Sequence, residues 1–256
     1  DWIEKTIKRP FDEERFLEAV WTELRTMSLW PKIAELNQAV PAPMDEKSMF
    51  ALYVLATYNK SWKAIPDFYE EVYDEVKDRV DRGIAAVGDE TFRVLTDCPP
   101  PWGFLKMYRI MEKKGVVSIG SLYTFGLEGI WRYDAEQKMV FPRELPKEQP
   151  RNREEACRLL ADWLLNRPLY QALYHPSFKT AMMSAIARQW KVDGIILHLN
   201  RGCEGTTIGI AENRLGLLKE GFKVMTYEGN MADEREFDLE SAMTRLEVFL
   251  DMLGAT

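Results

Sequence analysis

The sequence predicts an α/β protein in which a helical lobe precedes a doubly wound, mainly parallel sheet. Apolar residues recur at helical spacing up to Gly88, and beyond it short β-rich runs alternate with amphipathic helical stretches. That alternation is the pattern of helices laid on both faces of a parallel sheet, a Rossmann/flavodoxin-like architecture. Gly115 and Gly221 each fall where a helical stretch gives way to a β-rich run, the left-handed helix terminus that glycine tolerates best. With 256 residues, 46% of them hydrophobic, the chain can bury a sizeable core without disulfides.

Taken in order, residues 10–82 read as helix, with Phe16, Val20, Leu24 and Met27, then Phe68, Val72, Val76 and Val80, set among charges. Pro41-Ala42-Pro43 interrupts this lobe, Asp45 to Ser48 offer a polar restart, and Gly83 and Gly88 close it. Strands are expected at 93–96, 116–119, 194–199 and 223–227, and helices near 102–114, 152–165, 177–190, 206–220 and 239–253. The Pro-, Glu- and Lys-rich stretch 134–151 reads as a surface loop. The expected division is a helical lobe over 1–90 and an α/β domain over 91–256.

A net charge of -7, with both signs interspersed, gives no basic stripe to track a phosphate backbone, so nucleic acid is not an expected partner. No apolar run approaches the roughly 20 residues of a membrane span, and residues 1–20 carry charges throughout. A soluble, cytoplasmic protein is expected. The three cysteines, Cys98, Cys157 and Cys203, are odd in number and widely spaced, which fits a reducing compartment rather than a disulfide framework. There is no GxGxxG, Walker or GxSxG motif, so the standard dinucleotide, nucleotide and serine-hydrolase readings lose ground. The sequence opens at Asp1 without methionine and runs straight into a helix, so processing or a further upstream segment is expected.

Ligands of open α/β sheets bind beyond the carboxyl ends of the strands, and three strand-end loops stand out. TDCPPPWGF (96–104) combines a proline-stiffened turn with Cys98 and the flat wall of Trp102; Cys98 reads equally well as a small buried filler. SLYTFGLEG (121–129) offers Tyr123 and Phe125, which are aromatic packing residues as readily as ligand contacts. LHLNRGCEG (197–205) delivers Cys203 between Gly202 and Gly205 at the start of the helical stretch 206–220. Free N–H groups at a helix start favour thiolate over thiol, which suits a nucleophile or a metal ligand. His198, inside the strand, and His175, before Pro176, read as structural, as does Cys157 in the charged helix REEACRLLADWLL.

Together these residues resemble a known family. LNRGCEG, ENRLGLLKEG, TYEGNMADEREF and TRLEVFLDML, with PAPM (41–44), PPPW (99–102) and SLYTFG (121–126), are similar in order and content to subunits of the 2-hydroxyacyl-CoA dehydratase and benzoyl-CoA reductase family. The resemblance covers nearly the whole chain, as the carboxy-terminal two-thirds of a subunit, and leans toward a benzoyl-CoA reductase catalytic subunit. It implies an iron–sulfur enzyme built from homologous subunits that hold [4Fe-4S] clusters, with a separate ATP-dependent activator delivering low-potential electrons to a CoA-thioester. A ketyl radical anion on that thioester would lead either to ring reduction or to loss of hydroxide.

On this resemblance Cys203 is a cluster ligand and Cys98, displaced within the PPW-type loop, is a second candidate, with further cysteines expected upstream. The thioester is expected to lie against Trp102 and the Tyr123-Thr124-Phe125-Gly126 segment, with Glu204 and Gly205 completing the site. The alternatives are a 2-hydroxyacyl-CoA dehydratase subunit and a cluster-free partner subunit.

Overall fold

The computed structural model describes residues 2–127, 129–230 and 233–255. Glu128, Met231 and Ala232 of the quoted motifs lie outside the described residues. A short α1 (Trp2–Ile7) leads into α2 (Glu13–Glu35), α3 (Glu46–Tyr58) and α4 (Ala64–Arg82). Local chemistry sets these bounds. Asp12 and Asp45 accept the backbone N–H of Arg15 and Ser48, both at 2.9 Å, as N-caps of α2 and α3. Gly83 ends α4 with φ +65°.

The α/β part runs β1 (Phe92–Thr96), α5 (Lys106–Glu112), β2 (Val116–Ser121), α6 (Leu122–Gly126), β3 (Trp131–Asp134), β4 (Met139–Pro142), α7 (Arg153–Leu165), α8 (Pro168–Tyr174) and α9 (Pro176–Gln189). It continues through β5 (Gly194–Asn200), α10 (Glu204–Thr207), α11 (Ile210–Lys219), β6 (Lys223–Gly229) and α12 (Leu239–Leu253). The main sheet has the order β2-β1-β5-β6, and every pair in it is parallel.

Strands buried on both faces supply two cores. Leu95, Val117, Ile119, Ile195 and Leu197 point to the face covered by α9 and by Trp30, Met49 and Tyr69 of the helical segment. Val94, Val116, Ile196 and Met225 point to the other face, against Met107 and Met111 of α5 and Leu246, Phe249 and Leu250 of α12. Helices on both faces make the sheet doubly wound. From β1 the chain steps outward to β2; it re-enters at β5 on the other side of β1 and steps outward again to β6. The order of the strands therefore reverses between β1 and β5, the place where open sheets of this kind leave a crevice.

The structure corrects several sequence-based expectations. Part of the expected 134–151 loop is β4, paired antiparallel with β3. Val140 is fully buried there, and its N–H and C=O bond the Gln189 side chain of α9 at 2.6 and 3.0 Å. The expected 206–220 helix is split, because Ile208 leaves the helical region at ψ 132° and Gly209 is left-handed at φ +72°. Within the expected strand-end loop 121–129, residues 122–126 form the single turn α6, headed by a Ser121–Thr124 capping box. No helix among the described residues is long and apolar enough to cross a membrane.

Candidate functional site at the β1/β5 switch point

Both unusual cysteines lie just past strands that flank the switch point. β1 ends at Thr96, the Asp97 N–H still bonds Ile196 O at 2.9 Å, and Cys98 follows, almost wholly buried. At the end of β5, Asn200 accepts the Gly202 N–H at 2.9 Å and, through its carbonyl, the Cys203 N–H at 3.3 Å. This side chain to backbone turn lifts Cys203 out of the strand and leaves it half-buried. A side chain at Gly205, two residues on, would meet nothing within 4 Å.

That finding changes the account of Cys203. The left-handed glycine of this segment is Gly209, not a glycine flanking the thiol. The helix that starts beside Cys203 is the four-residue α10, too short for the dipole argument made from sequence. Burial, and secondarily the neighbouring Asp97 carboxylate, push the Cys98 thiol up.

Under the two loops lies a buried ion pair. Lys179 of α9 meets Asp97 Oδ2 at 2.9 Å, with side-chain exposures of 4% and 0%, and also donates to Thr206 O at 3.3 Å. Asp97 Oδ1 is buried without a partner. His198 serves the same floor. Its Nδ1 is 3.2 Å from Pro99 O, its ring stacks on Tyr227 at 4.7 Å, and burial lowers its pKa so that it stays neutral. His175 is exposed at the α8–α9 junction, and Cys157 is exposed on α7.

The aromatic wall differs from the expected one. Trp102 is 43% exposed and packs on Phe50 at 5.7 Å. Phe50 packs on Tyr53, and Tyr53 on Tyr123 at 5.3 Å. Phe50 and Tyr53 stand three apart on one face of α3, and sequence reasoning missed them because they belong to the helical segment. Thr124, Phe125 and Gly126, expected at the site, are all interior. Phe125 packs on Trp190 and Trp131 at 5.1 and 5.5 Å. Thr124 accepts the Ser121 N–H at 2.9 Å in the capping box and donates to the buried Glu46 at 3.4 Å, and a side chain on Gly126 would crowd Leu169 at 3.0 Å. Glu204 and Gly205 are exposed beside Cys203.

The residue types can be tested against an iron–sulfur cluster. A [4Fe-4S] cluster takes four donors, normally thiolates. Among the described residues no three His, Cys, Asp or Glu side chains converge to hold a metal. Cys98 and Cys203 are two thiols at adjacent strand ends, the first buried and the second half-buried. They fit as a partial donor set.

Residues 1–253 match the family profile of 2-hydroxyglutaryl-CoA dehydratase, D-component. Lactoyl-CoA dehydratase subunit alpha of Anaerotignum propionicum is 22% identical over 258 residues, covering 99% of this chain and 56% of the relative. (R)-2-hydroxyglutaryl-CoA dehydratase, subunit alpha, of Acidaminococcus fermentans is 20% identical over 256 residues, covering 99% and 48%. The chain thus spans about half the length of the curated relatives it matches. These matches are dehydratases, so they favour that alternative over the benzoyl-CoA reductase reading to which the sequence motifs leaned.

Proposed function

Because the chain belongs to the 2-hydroxyglutaryl-CoA dehydratase D-component family, we propose that it forms the switch-point part of a 2-hydroxyacyl-CoA dehydratase subunit, a lyase that removes water from a 2-hydroxyacyl thioester. The observation that carries this reading is the meeting of two cysteine loops at the β1/β5 crevice, where ligands of this fold class bind. Both relatives are named as alpha subunits, and we read from this a partner subunit of related fold, with an ATP-dependent activator as the family resemblance implies.

In this proposal Cys203, and Cys98 beside it, are thiolate ligands to a [4Fe-4S] cluster, with the remaining donors coming from outside the described residues. When bound, such a cluster supplies low-potential one-electron chemistry, and the hydrogen bonds and burial around its sulfurs set the potential. The chain's own residues do the rest. Trp102, Phe50 and Tyr123 form an apolar wall that excludes water from a reactive acyl group. Burial raises the pKa of Tyr123 and keeps its phenol neutral, so it brings no charge to that wall. Glu204 and Gly205 are exposed next to Cys203, where a thioester would enter.

The test is product analysis with the full-length protein, its partner subunit and its activator under anaerobic conditions. Conversion of (R)-lactoyl-CoA or (R)-2-hydroxyglutaryl-CoA to the 2-enoyl-CoA is expected, with benzoyl-CoA left unchanged. Reduction of benzoyl-CoA without dehydration of either hydroxyacyl thioester would overturn the reading.

A further inference from the structure

The two strands that flank the switch point stop pairing before either cysteine is reached. The last register pair between β1 and β5 is Thr96↔Ile196, while β5 runs on to Asn200 paired with β6 alone. Past that pair the Cys98 segment is held to β5 by the Asp97 N–H to Ile196 O bond at 2.9 Å and by Pro99 O against His198 Nδ1 at 3.2 Å, neither of which reaches the Cys203 turn beyond Asn200. Lys179 spans the gap. Its ammonium binds the side chain of Asp97, the residue before Cys98, and the carbonyl of Thr206. Thr206 in turn bonds back to Cys203 O through its N–H at 3.2 Å and its hydroxyl at 2.9 Å.

We propose that Lys179 is a positioning residue that clamps the Cys98 segment to the Cys203 turn and so fixes the spacing of the two thiols. The physical argument turns on cost. A lysine buried on a helix whose other buried residues are, Ser184 apart, apolar gives up several kcal/mol of hydration, and an apolar side chain of similar length would pack there more cheaply. What an apolar side chain cannot do is bond two chain segments that lie far apart in sequence. The clamp rests on the reading of the two cysteines as ligands, but it makes a claim of its own about backbone order.

The experiment is amide hydrogen exchange on the full chain, comparing the parent with Asp97→Asn/Lys179→Met. Removing both charges together leaves no unpaired ion, so the fold survives even if Lys179→Met alone does not. Thr206 and Ile208, whose N–H groups bond Cys203 O and Glu204 O, are expected to exchange about tenfold faster or more, the scale of a hydrogen bond to a charged group. Amides of β5 and β6 should be unchanged. Unchanged protection at Thr206 and Ile208, or equal loss through β5 and α9, would overturn the clamp, the second result marking a lysine that merely packs. Iron analysis of full-length parent protein separates the two claims. Absence of iron there refutes the ligand reading, while the exchange result still decides the clamp.

Discussion

Strand β1 carries a buried ion pair near each end, and the two pairs are built differently. At the amino end, Arg93 Nε bonds Glu90 Oε1 at 2.7 Å, its Nη1 bonds Asn37 O and Trp190 O at 3.2 and 3.1 Å, and its Nη2 bonds Ala39 O. Glu90 Oε2 accepts the Ala42 N–H at 2.5 Å. Every group is used, and the network ties the loop after α2 to the sheet. At the carboxyl end, Lys179 makes its two bonds, while Asp97 Oδ1 is buried and unpartnered. A saturated network holds a fold together, whereas an incomplete one beside two thiols keeps bonding capacity in reserve at the point where strand order reverses.

Breaking the saturated end should have the largest effect. Arg93→Met leaves Glu90 buried without its partner and is expected to cost about 3–5 kcal/mol, read as the fall in unfolding free energy in urea. Matched changes that remove both partners are Glu90→Gln/Arg93→Met and Asp97→Asn/Lys179→Met; the second should cost no more than about 1 kcal/mol, since a buried pair replaced on both sides is often neutral, and the first more, because the Asn37, Ala39, Trp190 and Ala42 backbone groups also lose their charged partners. Equal losses at the two ends would erase the distinction.

Next in size is the aromatic wall. Trp102→Ala is expected to weaken thioester binding by about 1–3 kcal/mol while iron content stays unchanged. Phe50→Ala should fall in the same range, and because the two rings touch the double variant should lose less than the sum. Unaltered KM and kcat in both single variants would place the acyl group elsewhere.

Glu46 sharpens the comparison from a third position. It is fully buried, bonds Thr124 through Oε1, and has Oε2 unpartnered. Burial raises its pKa well above the ordinary 4.5, so the folded state favours the protonated form. Its contribution is fully present below about pH 4.5, the ordinary value, and is lost as pH rises through the raised folded value. Glu46→Gln should therefore be more stable than the parent at pH 7, with the gap closing as pH falls toward 4.5. A pH-independent gap would show that Glu46 is ionised in the folded protein. The smallest effect belongs to Cys157→Ser on the exposed face of α7, expected to change stability by less than about 0.5 kcal/mol.

The four main strands and both cysteine loops were legible in the sequence, because apolar runs ending in glycine or proline mark strand ends locally. The switch point itself was not, since periodicity carries no record of which strand pairs with which. Phe125 reads in sequence like Tyr123, yet the single turn of α6 sends it between Trp131 and Trp190. Asp97 and Lys179 lie 82 residues apart, and the one available signal was a lone lysine in the apolar face of the 177–190 helix. Phe50 and Tyr53 reach the site from α3 of the amino-terminal helical segment, through packing that no local pattern encodes.

The central claim, that Cys203 at the switch point is a thiolate ligand to iron, is tested most directly by iron and acid-labile sulfide in anaerobically purified full-length protein bearing Cys203→Ser. Loss of most of the iron and sulfide is expected, with the urea midpoint unchanged and Cys157→Ser retaining the parent content. Equal iron and sulfide in Cys203→Ser and the parent would contradict the account.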